Sequence, residues 1–507
     1  MSDEEANLTT SFPAAFMRHD VGELASFPSH DDLEVDVGMV EKLAPGSLSV
    51  PELKGEQDVA IANKLVRFPL LGADETDDPA LAGKWKLKLT SEFHMTNDSH
   101  LFKTSPADGR LVLYQGGMIE QFTHTFAEPK YWVDEDAGRQ AILGKRADEG
   151  QKLAYEDYRV GLRAVASSTN RRSLIATVVP RNVFCGNSLL VSTLSPNEEQ
   201  LHGSPMVFCT GLLDSYVLDY LLRNKVTTNI NMFYIYQLPV PRYGSGDPYF
   251  EAIVARAGRL ICTTPEYDAL AQEIGLQPLT TNASGQPVYG YTAVAEREQA
   301  RAELDARVAH LYSLTEDEYA HVLSSFKITD SRRALLLAEY GKLVGDHQVM
   351  EMIDGGENER VEFKEVGCID PQTSKKGKEV TQNVVRAVAA FLNSKAGGTL
   401  LIGVTDKSKL IVGVEREYKE ADQQKQSWDG YLLYLRNSIK DKLGPNCLSF
   451  VQISPVQIGG KTICRIDVSP ADQPTYLNKV LPLRDTAGTS DLSEGAMVSY
   501  VQSRWPR

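Results

Sequence analysis

The chain has little cysteine for its size. Six residues in 507 (Cys185, Cys209, Cys262, Cys368, Cys447 and Cys464) are widely scattered, with no CxxC pair and no adjacent histidine. That spacing excludes a structural zinc and a disulfide framework, and the thiols read as reduced. Long apolar runs are missing too: no stretch approaches the roughly 18–20 residues that a membrane-spanning helix needs. The start, "MSDEEANLTTSFPAAF", has neither the basic n-region nor the apolar h-region of a secretory signal. A cytoplasmic location and no membrane partner are therefore expected. No internal repeat or low-complexity tract stands out.

What the chain does have is length. At 507 residues it exceeds the roughly 250–300 at which single cores stop growing, so two or three domains are expected. The hydrophobic share of 42% and charged share of 24% are those of an ordinary globular protein. A formal charge of −15 would argue against nucleic acid if it were evenly spread. It is not: residues 1–60 carry 13 acids against 3 bases, whereas residues 351–507 carry 20 against 21. The acidic leader, residues 1–60, serves solubility or meets a basic partner.

Patterning divides the rest into three. Residues 61–247 alternate short apolar runs ("RLVLYQGG", "SLIATVVP", "LLVSTL") with turn signals, and are β-rich with helices such as "GLLDSYVLDYLLRNK" interposed. Residues 248–350 show apolar positions at helical spacing, with Thr315 and Glu318 as a capping box, and read as a helical connector. Residues 351–507 read strand, helix, Gly-Gly turn, two strands, helix, strands and a closing helix. The fold class expected is α+β and multidomain, with a compact α+β domain at the C-terminal end.

Four stretches in the front half carry a resemblance: "EFHMTNDSHLF" (92–102), "LYQGGMIEQFTHTFAEPKYWV" (113–133), "YRVGLRAVASSTNRRSLIATVVP" (158–180) and "LLRNKVTTNINMFYIYQLPVP" (221–241). With the helical 303–326, in this order and spacing, they resemble the C-terminal half of large single-chain adenine-specific DNA methyltransferases (type IIG and PglX-like). In those enzymes this region is the target-recognition domain. The chain lacks the glycine-rich turn that would hold S-adenosylmethionine and the (N/D/S)PP(Y/F/W) tetrapeptide that would hold a flipped base. It is not expected to methylate by itself. Within "SSTNRRS", Ser168, Thr169, Asn170, Arg171 and Arg172 are candidate DNA contacts that position a duplex through its phosphates. The same residues also suit a turn with solvated arginines. His124 and His202 read as packed or surface histidines.

In the back half, "ENERVEFKEVG" (357–367) gives E-x4-E-x-K, followed by "AFLN", "GGTLLIGVTD" and a second "GV". These resemble the Schlafen/AlbA-like (AlbA_2) domain over about 355–505. The resemblance implies a nuclease site of Glu357, Glu362 and Asp406 with Lys364 beside them, the three carboxylates holding Mg²⁺ or Mn²⁺. Such hard cations take oxygen ligands, acidify a bound water and stabilise charge on a scissile phosphate. Glu362 and Lys364, two apart on a strand, share a face, and Asp406 is expected at the end of the next strand. A charged edge strand that resists aggregation has the same pattern. Gly397-Gly398 reads as a helix-ending turn or a phosphate approach, and "SKKGK" (374–378) as a basic loop.

The function expected is a DNA sequence-specificity subunit of a methylation-linked, restriction-modification-like phage-defence system, with a C-terminal domain that cuts or binds nucleic acid. Its partners would be double-stranded DNA, a separate adenine-specific methyltransferase, other defence proteins and a second copy of the chain. The alternatives are a stand-alone sequence-directed nuclease and a DNA-binding regulator of a defence operon.

Overall fold

The aliphatic runs of the front half form strands, all of them short. The computed structural model describes residues 10–16, 20–29, 32–45, 48, 50, 52–165, 170–193, 201–225, 229–458, 461–485 and 488–505. The chain divides into two units, Met1–Gly341 and Lys342–Arg507, each α+β.

In the first unit, strand Arg159–Arg163 pairs antiparallel with Ala176–Val179 (Arg159 opposite Val179) and with Leu189–Ser192 (Val191 opposite Gly161); Leu89–Thr90 completes this sheet. Ala176–Val179 is buried at every position, which is why its sequence is a continuous apolar run instead of an alternation. In a second sheet Arg110–Tyr114 lies between antiparallel Trp132–Asp134 and parallel Phe184–Cys185, with Phe102–Lys103 at the edge. A buried ion pair ties the two sheets. Arg159 of the first sheet bonds Glu92 and the Val183 carbonyl (2.6 Å), and Glu92 accepts the Cys185 N–H of the second at 2.9 Å.

The predicted helix "GLLDSYVLDYLLRNK" is two helices, Gly203–Leu213 and Tyr216–Arg223. Ser215 caps the second by accepting the Leu218 N–H at 3.3 Å, and Asp214 turns its carboxylate to the N–H groups of Ala176 (2.8 Å) and Phe122 (3.1 Å). Short polar side chains that bond backbone favour such breaks. Helix Pro248–Ile261 packs where Gly211 leaves room: a Cβ there would lie 2.9 Å from Ile253 Cγ2. The capping box forms, with Glu318 N–H donating to Thr315 Oγ1 at 3.2 Å and Thr315 N–H to Glu318 Oε2 at 2.6 Å. Of the segment 248–350, residues 248–341 belong to this first unit and 342–350 to the second. Nearby, Asp58 on helix Glu56–Leu65 receives the Tyr220 hydroxyl, the His321 ring (2.6 Å) and the Lys54 N–H (2.5 Å).

In the second unit the sheet order is Val361–Lys364, Gly398–Ile402, Lys461–Val468, Val451–Ile458, the first pair parallel and the others antiparallel. Helix Lys378–Asn393 makes the parallel connection. One face of the sheet (Leu400, Ile402, Ile466) is packed with Val384, Val388 and Phe391 of that helix and Tyr431, Leu435 and Ile439 of helix Trp428–Leu443. The other (Val361, Phe363, Leu401, Ile463) is packed with Val349 and Ile353. Gly397 has φ +68°, and Cβ atoms at Gly397 and Gly398 would fall 2.1 Å from the Val468 carbonyl and 2.2 Å from the Phe391 ring. This is a tight helix-ending turn in which only glycine fits. "LIVGV", predicted as a strand, makes only the Val404–Ile411 bridge of a hairpin. The C-terminal segment closes with helix Glu494–Arg504.

Candidate functional site

Strand Val361–Lys364 is an edge strand, and its alternation sends Val361 and Phe363 into one core and Glu362 and Lys364 to the opposite face. Glu362 is 6% exposed. Its Oε2 accepts from Arg484 Nη1 at 2.5 Å, its Oε1 lies 2.5 Å from Lys364 Nζ, and Thr489 Oγ1 is 3.4 Å from Oε2. Arg484 comes from the hairpin Pro482–Asp485 and Gly488–Asp491. Its Nη2 donates to the carbonyls of Asn358 (2.8 Å) and Val361 (3.0 Å). Lys364 also donates to the Phe363 carbonyl at 3.0 Å.

The other two carboxylates lie elsewhere. Glu357 is exposed but folds back onto the strand, accepting the Phe363 N–H at 2.6 Å. Asp406, expected at a strand end, lies beyond it: the strand stops at Ile402, and Asp406 is exposed in the hairpin turn that follows. Among the described residues no group of three or more His, Cys, Asp or Glu side chains is arranged to hold a metal ion. Glu357, Glu362 and Asp406 therefore do not fit Mg²⁺ or Mn²⁺ as they stand. Asp406 sits exposed in the turn beyond its strand, and Glu362 is paired with Arg484 and Lys364.

Sequence reasoning missed Arg484. Its only local signal is a cation directly after the apolar run "LPL". It missed Glu417 as well, which is wholly buried and accepts the N–H groups of Gly367 (2.9 Å), Cys368 (2.6 Å) and Ile369 (3.3 Å) and the Tyr431 hydroxyl (3.3 Å). Burial pushes the Glu417 carboxyl upward and these donors only partly offset it. Glu417 fixes the loop that leaves the Glu362 strand. In the basic loop, Lys376 lies 4.1 Å over the Tyr434 ring.

In the first unit Ser168 and Thr169 lie outside the described residues. Asn170 and Arg171 are exposed, the Asn170 carbonyl accepting Arg223 Nη2 at 2.9 Å. Arg172 turns inward instead. Its Nε donates to Asp219 at 2.7 Å, its Nη2 to the Asp214 carbonyl at 2.6 Å, and its guanidinium lies 4.1 Å over the Tyr216 ring. It is a core cation, so the expectation that it reaches a phosphate is corrected. His124 is packed between Tyr114 (3.0 Å) and Thr264 (3.2 Å), and burial holds its ring below the usual histidine range. His202 is exposed beside Glu273.

No curated protein matches the chain. Solved structures similar to it include the DIP2311 protein from Corynebacterium diphtheriae (17% identity, 33% of this chain and 34% of that one, TM-score 0.24). Another is the Type IIL restriction-modification enzyme MmeI in complex with DNA (13% identity, 51% and 36%, TM-score 0.24). The chain spans about a third of the length of each. Residues 357–485, which hold the Glu362–Arg484 pair and the sheet around it, match the family model described as Schlafen, AlbA_2.

Proposed function

We propose that this chain is the DNA-recognising subunit of a methylation-linked defence system. The first unit selects a duplex sequence for a separate adenine-specific methyltransferase, and the second holds nucleic acid. The observation that carries this reading is the Schlafen, AlbA_2 match over 357–485, on one chain with stretches that resemble a target-recognition domain. Those stretches supply the strands Arg159–Arg163 and Ala176–Val179 and the end of Arg110–Tyr114, Leu113 and Tyr114. Asn170 and Arg171 are the candidate backbone contacts of the first unit.

Binding is favoured over cutting in the second unit by the state of Glu362, which is neutralised by Arg484 and Lys364. An ammonium has three donors, and two of those on Lys364 are used, on Glu362 and on the Phe363 carbonyl. The side chain is 30% exposed, so the third can meet a phosphate oxygen. Mobility-shift titration of the full chain with duplex DNA tests the reading. Affinity should fall steeply as salt rises, and site-specific adenine methylation should appear on adding a methyltransferase that lacks its own recognition half. No retention of duplex at low salt would overturn it. Mg²⁺- or Mn²⁺-dependent cleavage that disappears in Asp406→Ala would replace binding by nuclease action.

A further inference from the structure

The first unit contains a cavity of about 440 Å³ next to Arg171, a size typical of small-ligand sites. Five of its fifteen lining residues are arginines and four are carboxylic acids. The acids are largely committed. Asp214 gives both oxygens to backbone N–H groups, Asp305 accepts the Tyr216 N–H at 2.9 Å, and Glu298 pairs with Arg332 at 2.7 Å. Burial also pushes the Asp214 and Asp305 carboxyls upward, which reduces the negative charge they contribute.

Two arginines keep donors in reserve. Arg171 is exposed and makes no ion pair or hydrogen bond among the described residues. Arg301 reaches the Gln121 carbonyl at 3.0 Å through Nη2, while its Nη1 stands 3.8 Å from Glu298, beyond hydrogen-bond distance. Phe126, which also lines the cavity, is 60% exposed. Guanidinium groups with unspent donors select phosphate, and an exposed ring beside them selects a base. Duplex DNA is too wide to enter a cavity of this size.

From the cavity we infer that the first unit binds a single nucleotide unit, its phosphate on Arg171 and Arg301 and its base on Phe126. The nucleotide is free, or is an unpaired residue of a nucleic-acid strand. Neither needs duplex recognition by this unit, so the recognition reading can fail while the pocket holds, and the reverse.

Isothermal titration of the full chain with adenosine monophosphate, inorganic phosphate and a single-stranded oligonucleotide is the test. Adenosine monophosphate should bind, with inorganic phosphate about tenfold weaker because it lacks the stacked base. Arg171→Ala should weaken the nucleotide about tenfold, and Phe126→Ser should weaken the nucleotide but not phosphate. Both are surface substitutions that leave unfolding unchanged. Competition by the oligonucleotide identifies a strand as the source, and its absence identifies a free nucleotide. No binding of adenosine monophosphate at millimolar concentration, or binding indifferent to both substitutions, would overturn the inference.

Discussion

Glu362 and Arg484 illustrate how a buried charge resists single substitutions. Each is nearly inaccessible, at 8% and 2% side-chain exposure. Removing Glu362 takes from the buried Arg484 the carboxylate it pairs with, which costs about 3–5 kcal/mol. Glu362→Ala should therefore lower the unfolding free energy of the second unit, measured in urea, by an amount in that range. The double change Glu362→Leu with Arg484→Met should recover most of the loss. If Glu362→Ala unfolds normally, the pair is not the structural anchor described here. The same logic separates two neighbouring arginines: Arg172→Ala should destabilise the first unit by about 3 kcal/mol or more in denaturant, whereas Arg171→Ala, at an exposed position, should stay within about 0.5 kcal/mol. "SSTNRRS" does not reveal this difference, because the partner of Arg172 is Asp219, 47 residues away. Local sequence names the cation and not its counter-charge.

Among the secondary-structure elements, Asp58 joins three helices through Tyr220, His321 and the N–H of Lys54. Burial works to raise its pKa, but these donors outweigh it and hold the carboxyl below its usual value of 3.8. A carboxyl depressed in the folded state contributes stability that is present above the unfolded pKa and lost as pH falls through the folded one. The thermal midpoints of the wild-type chain and Asp58→Asn should thus differ at pH 6 and converge as the pH drops below about 4. A gap that persists into acid would count against this assignment.

Element types were readable where one period dominated. The capping box at Thr315, the closing helix at Glu494–Arg504 and the strand–helix–strand start of the second unit all follow local rules. The division of one helix at Asp214–Ser215 was not readable, since Asp214 is held by the backbone of Ala176 and Phe122, distant in sequence. The collapse of "LIVGV" to a single bridge escaped for a similar reason: its apolar residues signal burial but not a pairing partner.

For the whole molecule, the motif order at 357–414 foreshadowed the second unit. The candidate site was only half legible. E-x4-E-x-K correctly joins Glu362 to Lys364 (2.5 Å) and brings Glu357 back to the strand. The residue that neutralises Glu362, however, is 122 positions downstream. Asp406 lies past its strand, so of the triad that the resemblance implied, Glu362 is a carboxylate between two cations.

All six thiols are buried, Cys185, Cys209 and Cys262 in the first unit and Cys368, Cys447 and Cys464 in the second. An alkylating reagent that spares the native protein will therefore mark a unit only when that unit opens. Mass spectrometry of the labelled peptides should yield two separate opening rates from one sample. Identical rates at all six positions under mild denaturant would mean that the halves of the chain unfold as one.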